Sequence, residues 1–148
     1  MRPRNAGEGR LYGAEFIYQH FPEFESELLK GFGWQFNYTY IDGETDADDP
    51  TDPSNPPRRT DLPYPQVSEN NFNIIGIYER GKFSARLAYN WRGEYVDTFN
   101  GPNAPASGLR TISVKSTYQL DFSASYAINE NVTVSLDATN LLDSEYKD

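Results

Sequence analysis

Few side chains in this sequence are placed for chemistry. The acidic run DGETDADDPTD, from Asp42 to Asp52, is the densest set of oxygen ligands. A calcium loop needs those oxygens at fixed offsets, a turn glycine and a closing glutamate. Here Gly43 comes too early and no glutamate closes the run at the right distance, so the stretch reads as a solvated loop. Arg58 and Arg59 follow it and suit an anionic ligand or a lipopolysaccharide phosphate, or a salt bridge within the loop. His20 is the single histidine and stands beside a turn, so no histidine-based triad has a partner order to show. Asp121 and Asp137 form either a carboxylate dyad or, the simpler reading, a satisfied polar network; Ser123 beside Asp137 lacks a base and reads as a hydrogen-bond pair. There is no cysteine, hence no disulfide framework and no thiolate metal site. These residues point away from an enzyme and call for no cofactor.

The elements that carry them are strands. Phe83, Ala85, Leu87, Tyr89 and Trp91 alternate with Ser84, Arg86, Ala88, Asn90 and Arg92, the period of a strand with one apolar and one polar face. Six such segments run roughly over Arg10 to Gln19, Phe32 to Ile41, Asn71 to Glu79, Lys82 to Tyr95, Thr117 to Ile128 and Val132 to Asn140. The third is the least regular, because Ile75 and Ile77 fall on its polar face. Long connections (Ile41 to Ser68, Val96 to Ser116) alternate with tight turns at Arg80-Gly81 and Asn129-Glu130-Asn131. That alternation predicts an all-β, antiparallel up-and-down meander. Cross-strand partners share a face, so parity tests the turns. A two-residue Arg80-Gly81 turn sets Tyr78 opposite Phe83 and Glu79 opposite Lys82. A three-residue 129–131 turn sets Ser123 opposite Asp137, with Asn131 in the left-handed region. The stretch PEFESELLKG has helix start and stop signals and reads as one or two helical turns, or as a wide turn.

The apolar faces need a partner, yet the chain is hydrophilic, with a net charge of -9 and a mean hydropathy of -0.73. Aromatics gather towards both strand ends: Tyr38, Tyr40, Tyr89, Trp91 and Tyr118 on the long-loop side, Phe32, Trp34, Tyr78, Phe83 and Tyr126 on the short-turn side. Gly76, Ala85, Leu87, Ala124 and Leu136 lie nearer the middle. Two aromatic girdles around an aliphatic band are what a bilayer selects, and the strand lengths suit a tilted crossing. The polar faces then line a wet lumen. There Gln35, Asn37, Asn73, Arg86, Asn90, Arg92, Asp121 and Asp137 are candidates to touch a ligand or an internal plug. The alternative is a secreted soluble β-sandwich or barrel that binds a ligand and buries the apolar face against a second layer. The acidic balance, 22 Asp+Glu against 13 Lys+Arg, excludes a general nucleic-acid binder. MRPRNAGEGR lacks an apolar region behind its charges, so any targeting signal is expected outside residues 1–148.

The order GFGWQFNYTYIDGE, then LPYPQVSENNFNIIGIYERGKFSARLAYNWRGEY, then YQLDFSASYAINENVTVSLDATNLLDSEY resembles the C-terminal barrel region of TonB-dependent outer-membrane receptors, over about residues 9 to 147. The resemblance implies energised uptake of a siderophore, vitamin or other scarce nutrient across the outer membrane of a Gram-negative cell. Its implied partners are outer-membrane lipid, the remaining barrel strands, a plug domain, and TonB acting through that plug. Such receptors close about 22 strands around a plugged lumen. Residues 1–148 are therefore expected to be a wall segment without plug or last strand, and not to transport alone.

Overall fold

The computed structural model describes residues 8–48, 58–99 and 111–144. Nine strands appear among them: β1 (Gly9–His20), β2 (Phe32–Asp48), β3 (Arg58–Pro63), β4 (Asn70–Arg80), β5 (Phe83–Arg92), β6 (Tyr95–Phe99), β7 (Thr111–Val114), β8 (Thr117–Asn129) and β9 (Val132–Ala138). The main sheet runs β1-β2-β4-β5-β8-β9, with β3 paired to the outer part of β2, and β6-β7 form a separate hairpin. Every pairing is antiparallel. The expected six-strand meander is thus the backbone of the fold.

The faces follow the alternation. Register carries Trp34, Phe36 and Tyr38 across to Gly76, Ile74 and Phe72, and these to Leu87, Tyr89 and Trp91. Neighbouring rings meet along this face from Phe16 to Phe36 (6.3 Å between centroids), Phe36 to Phe72 (6.5 Å) and Phe72 to Trp91 (5.2 Å, stacked). The band between the girdles is therefore partly aromatic rather than aliphatic throughout. No second layer covers it among the described residues: Leu136 is 63% exposed, Val134 57% and Leu87 46%. A soluble sandwich would bury one face of each sheet, and among the described residues this sheet has neither face covered by a second layer. Among the described residues the few buried side chains are Ile75, Val114 and Ser68. Ile75 lies on the polar face between Gln35 and Ala88, as its parity requires.

Local geometry departs from expectation in three places, and in a fourth it takes one of the two courses that the sequence left open. The β4–β5 turn is Gly81-Lys82, not Arg80-Gly81, so Arg80 opposes Phe83, Glu79 opposes Ser84 and Tyr78 opposes Ala85. Gly81 takes φ +57° at the first turn position, where a two-residue hairpin of this kind wants glycine. A two-residue slip preserves parity, so the faces stand. At the β8–β9 turn Ser123 does oppose Asp137, but the extra residue is a bulge between Ala127 and Asn129, and Asn131 is not left-handed. Its amide donates instead to Asn129 Oδ1 at 2.9 Å.

Residues 21–31 make a wide turn, not helix: Ser26 O accepts from the amides of Leu29 (3.0 Å) and Lys30 (3.2 Å), and Phe32 N–H already turns back to Leu29 O (3.1 Å). Finally, the long connections hold strands. β2 runs past Ile41 because β1 and β3 both pair with its outer part, so Asp42–Asp48 is strand rather than loop; residues 49–52 of the acidic run lie outside the described residues.

Candidate functional site

The polar face carries the candidate residues. Register brings Asn37 opposite Asn73, Asn73 opposite Asn90 and Asn90 opposite Gln119, so four carboxamides form one row across β2, β4, β5 and β8. Directly opposed side chains on neighbouring strands stand close enough to interact. Asn37 Nδ2 donates to Asn73 Oδ1 at 2.7 Å, and Gln35 Nε2 donates to Asn37 Oδ1 at 3.1 Å. Towards the long loops the next row is Thr39, Asn71, Arg92 and Thr117, with Glu15 opposite Thr39. An open groove of about 440 Å³ lies over these two rows.

Arg92 belongs to a different arrangement. Its Nε donates to Ser68 Oγ (2.9 Å), one Nη donates to Gln66 O (2.8 Å), and the guanidinium sits 3.9 Å over the Tyr95 ring. Ser68, which is buried, donates in turn to Gly93 O at 2.8 Å. The arginine clasps the connection after β3 to the start of β6. Apart from Arg92 and Glu15, the polar side chains that line the groove are neutral donors and acceptors.

Arg86 and Asp137 flank Ser123 from either side in a row nearer the short turns. A second open cavity, about 350 Å³, lies there with Ser84, Ser125 and Ser135; Ser84 and Ser125 share a hydroxyl bond at 2.8 Å. The Asp121–Asp137 dyad does not form. Asp137 pairs with Ser123, while Asp121 accepts from Gln119 Nε2 (2.8 Å) and from the Asn140 amide (3.0 Å). For Asp121 this matches the satisfied network that the sequence offered as the simpler reading; for Asp137 only its register opposite Ser123 is established. Arg58 and Arg59 pair through β3 with Asp48 and Ala47; their side chains lie outside the described residues. Gln119, Asn71 and Glu15 were not singled out by sequence, although their parity already places them on the polar face.

The family model described as TonB dependent receptor-like, beta-barrel, matches residues 1–141. The chain belongs to the TonB-dependent receptor β-barrel family. Nothing among the curated proteins or the solved structures matches it. TonB-dependent receptors are receptors and transporters of the outer membrane, and their barrels expose an apolar face to lipid. The uncovered face of this sheet, with rings at both ends of its strands, has the composition that such a barrel wall requires. The groove over the carboxamide row lies on the opposite, lumen-type face.

Proposed function

We propose that this wall serves energised uptake of a siderophore, vitamin or other scarce nutrient in a Gram-negative outer membrane, with TonB acting through a plug domain. The carboxamide row and its groove contact the nutrient or the plug on the lumenal side. The observation that carries this reading is the row itself. Asn37, Asn73, Asn90 and Gln119 stand at one level across four strands, opposite an apolar face that nothing covers among the described residues. Carboxamides both donate and accept, so the row can bind polar groups of either kind without paying for an uncompensated charge. Arg86 and Asp137 offer charged contacts further down the same face. The wall does no covalent chemistry in this account. Its part is to hold polar groups facing a water-filled lumen while its other face meets hydrocarbon.

The test is uptake in cells carrying the receptor with Asn73→Leu or Asn90→Leu. Both substitutions keep the side chain's size and strand position and remove its hydrogen-bonding groups. Receptor assembled in the membrane at wild-type level, with nutrient uptake reduced, is expected for both. Wild-type uptake by both variants would show that the row touches neither nutrient nor plug.

A further inference from the structure

The connection over residues 21–31 stands on the short-turn edge, where the other two connections are tight, and its course is unusual. Phe21 folds over the polar face: its ring covers Gly33, where a Cβ would come within 2.2 Å of it. The chain then crosses the rim. Tyr78 Oη, on the apolar face, donates to Leu28 O at 3.0 Å, which holds the second half of the turn beside the lower girdle of Phe32, Tyr78 and Phe83. Gly31 O accepts from the Glu79 amide (2.8 Å) and fixes the exit. Leu28 is 76% exposed, the most exposed of the large apolar side chains among the described residues, and Leu29 beside it is 46% exposed.

From this course we infer that residues 21–31 form a membrane-dipping turn, with Leu28 and Leu29 seated in the bilayer leaflet on the short-turn side. The inference rests on the reading of the apolar face as lipid-facing. Continuity decides the occupant: the turn's backbone is bonded to a girdle tyrosine, so its leucines extend the same apolar band past the last strand residues. Their seat is the interfacial zone, where apolar groups enter about 5–10 Å. The charges agree. Glu27 pairs with Lys30 and, at 3.3 Å, with Arg80, which leaves Glu23 and Glu25 on the turn and no basic cluster. Such a turn enters a leaflet through apolar area and gains nothing from anionic headgroups.

The chain has no cysteine, so single-cysteine labelling reads each position separately. Leu28→Cys, Leu136→Cys, Ser123→Cys and Glu25→Cys, each carrying an environment-sensitive fluorophore, are reconstituted as the full chain in phosphatidylcholine vesicles containing brominated acyl chains. Quenching at position 28 of roughly half that at position 136 or more is expected for an interfacial seat. Positions 123 and 25 should stay unquenched, and anionic phosphatidylglycerol should not raise the signal at position 28. Quenching at position 136 with none at 28 overturns the turn's insertion and leaves the wall reading intact; the leucines then face water or a protein partner. Quenching at 28 only when phosphatidylglycerol is present overturns the apolar mechanism. Absence of quenching at 136 overturns the lipid-facing wall, and the dipping turn with it.

Discussion

Leu87→Arg tests the lipid-facing assignment most directly. Leu87 lies four residues from Phe83 and four from Trp91, the girdle residues of its strand, and sits between Gly76 and Phe122. Four residues of strand span about 13 Å. At the usual tilt of about 45° that becomes roughly 9 Å of depth to either girdle. An arginine there is too deep to keep its head group among headgroups at no cost, so the midplane penalty of about 2–4 kcal/mol applies. Ser84→Arg on the opposite face loses the Ser84–Ser125 bond but keeps its charge in water, so it should cost no more than about 1 kcal/mol.

Trp91→Tyr supplies the third arm. At an interface the polar tip stays wet and the loss is small; in a closed core a void and a buried hydroxyl would cost about 1–3 kcal/mol. Urea unfolding of the chain in lipid vesicles, followed by tryptophan emission or strand circular dichroism, gives all three values. Large penalties at both Ser84 and Trp91 would mean that both faces are packed, and the membrane-wall reasoning would be wrong.

Other outcomes follow from the same geometry. Arg92→Lys keeps the charge but cannot reach Ser68 Oγ and Gln66 O together, so hydrogen exchange at the Gln66 amide, which donates to Val96 O, should quicken by an amount worth about 1 kcal/mol. Unchanged exchange would refute the clasp. Gly31→Ala forces a side chain into φ +91° and a Cβ to within 1.8 Å of Glu79 O, so the turn should lose about 1–3 kcal/mol, read by vesicle unfolding, with Ser26→Ala as a mild control.

Tyr12 lies beyond the girdle, and its hydroxyl donates to the Asp42 carboxylate, which raises its pKa above the ordinary tyrosine value. Because the folded value is the higher one, the stabilisation is full below the unfolded pKa of about 10 and is lost as pH rises through the folded value. Ultraviolet titration of wild type against Tyr12→Phe should show that the variant lacks one phenol ionising above the ordinary tyrosine value. A Tyr12 phenol that ionises at the ordinary value would remove the bond.

The two faces were legible in the sequence because a period of two survives any even slip in register. The β4–β5 turn shows this. A turn placed one residue earlier moves every partner by two, yet it leaves Leu87 and Tyr89 on the face of Gly76 and Ile74, and Ser84 and Arg86 on the face of Glu79 and Ile77. What parity leaves open is the register across the long connections. The β2–β4 and β5–β8 pairings decide that Asn37, Asn73, Asn90 and Gln119 stand at one level. Their links run through residues rich in proline, glycine and acid that carry no periodicity. For the same reason β3, β6 and β7 were unreadable: they are short, and tertiary pairing, not local pattern, makes them strands. The clasp explains why Arg92, grouped by sequence with Asn37 and Asn90, faces its partners differently. Its guanidinium turns to Ser68 and Tyr95, residues that no alternation connects to it.

That clasp also bears on how such a wall changes over generations. The bases of the two excursions are not independent. Ser68 and Gln66 belong to one, Gly93 and Tyr95 to the other, and Arg92 holds both. A recombination event that swaps one excursion between relatives strands half of this set. Inheritance then favours exchange of residues 64–96 as a single block, with novelty confined to what lies outside it.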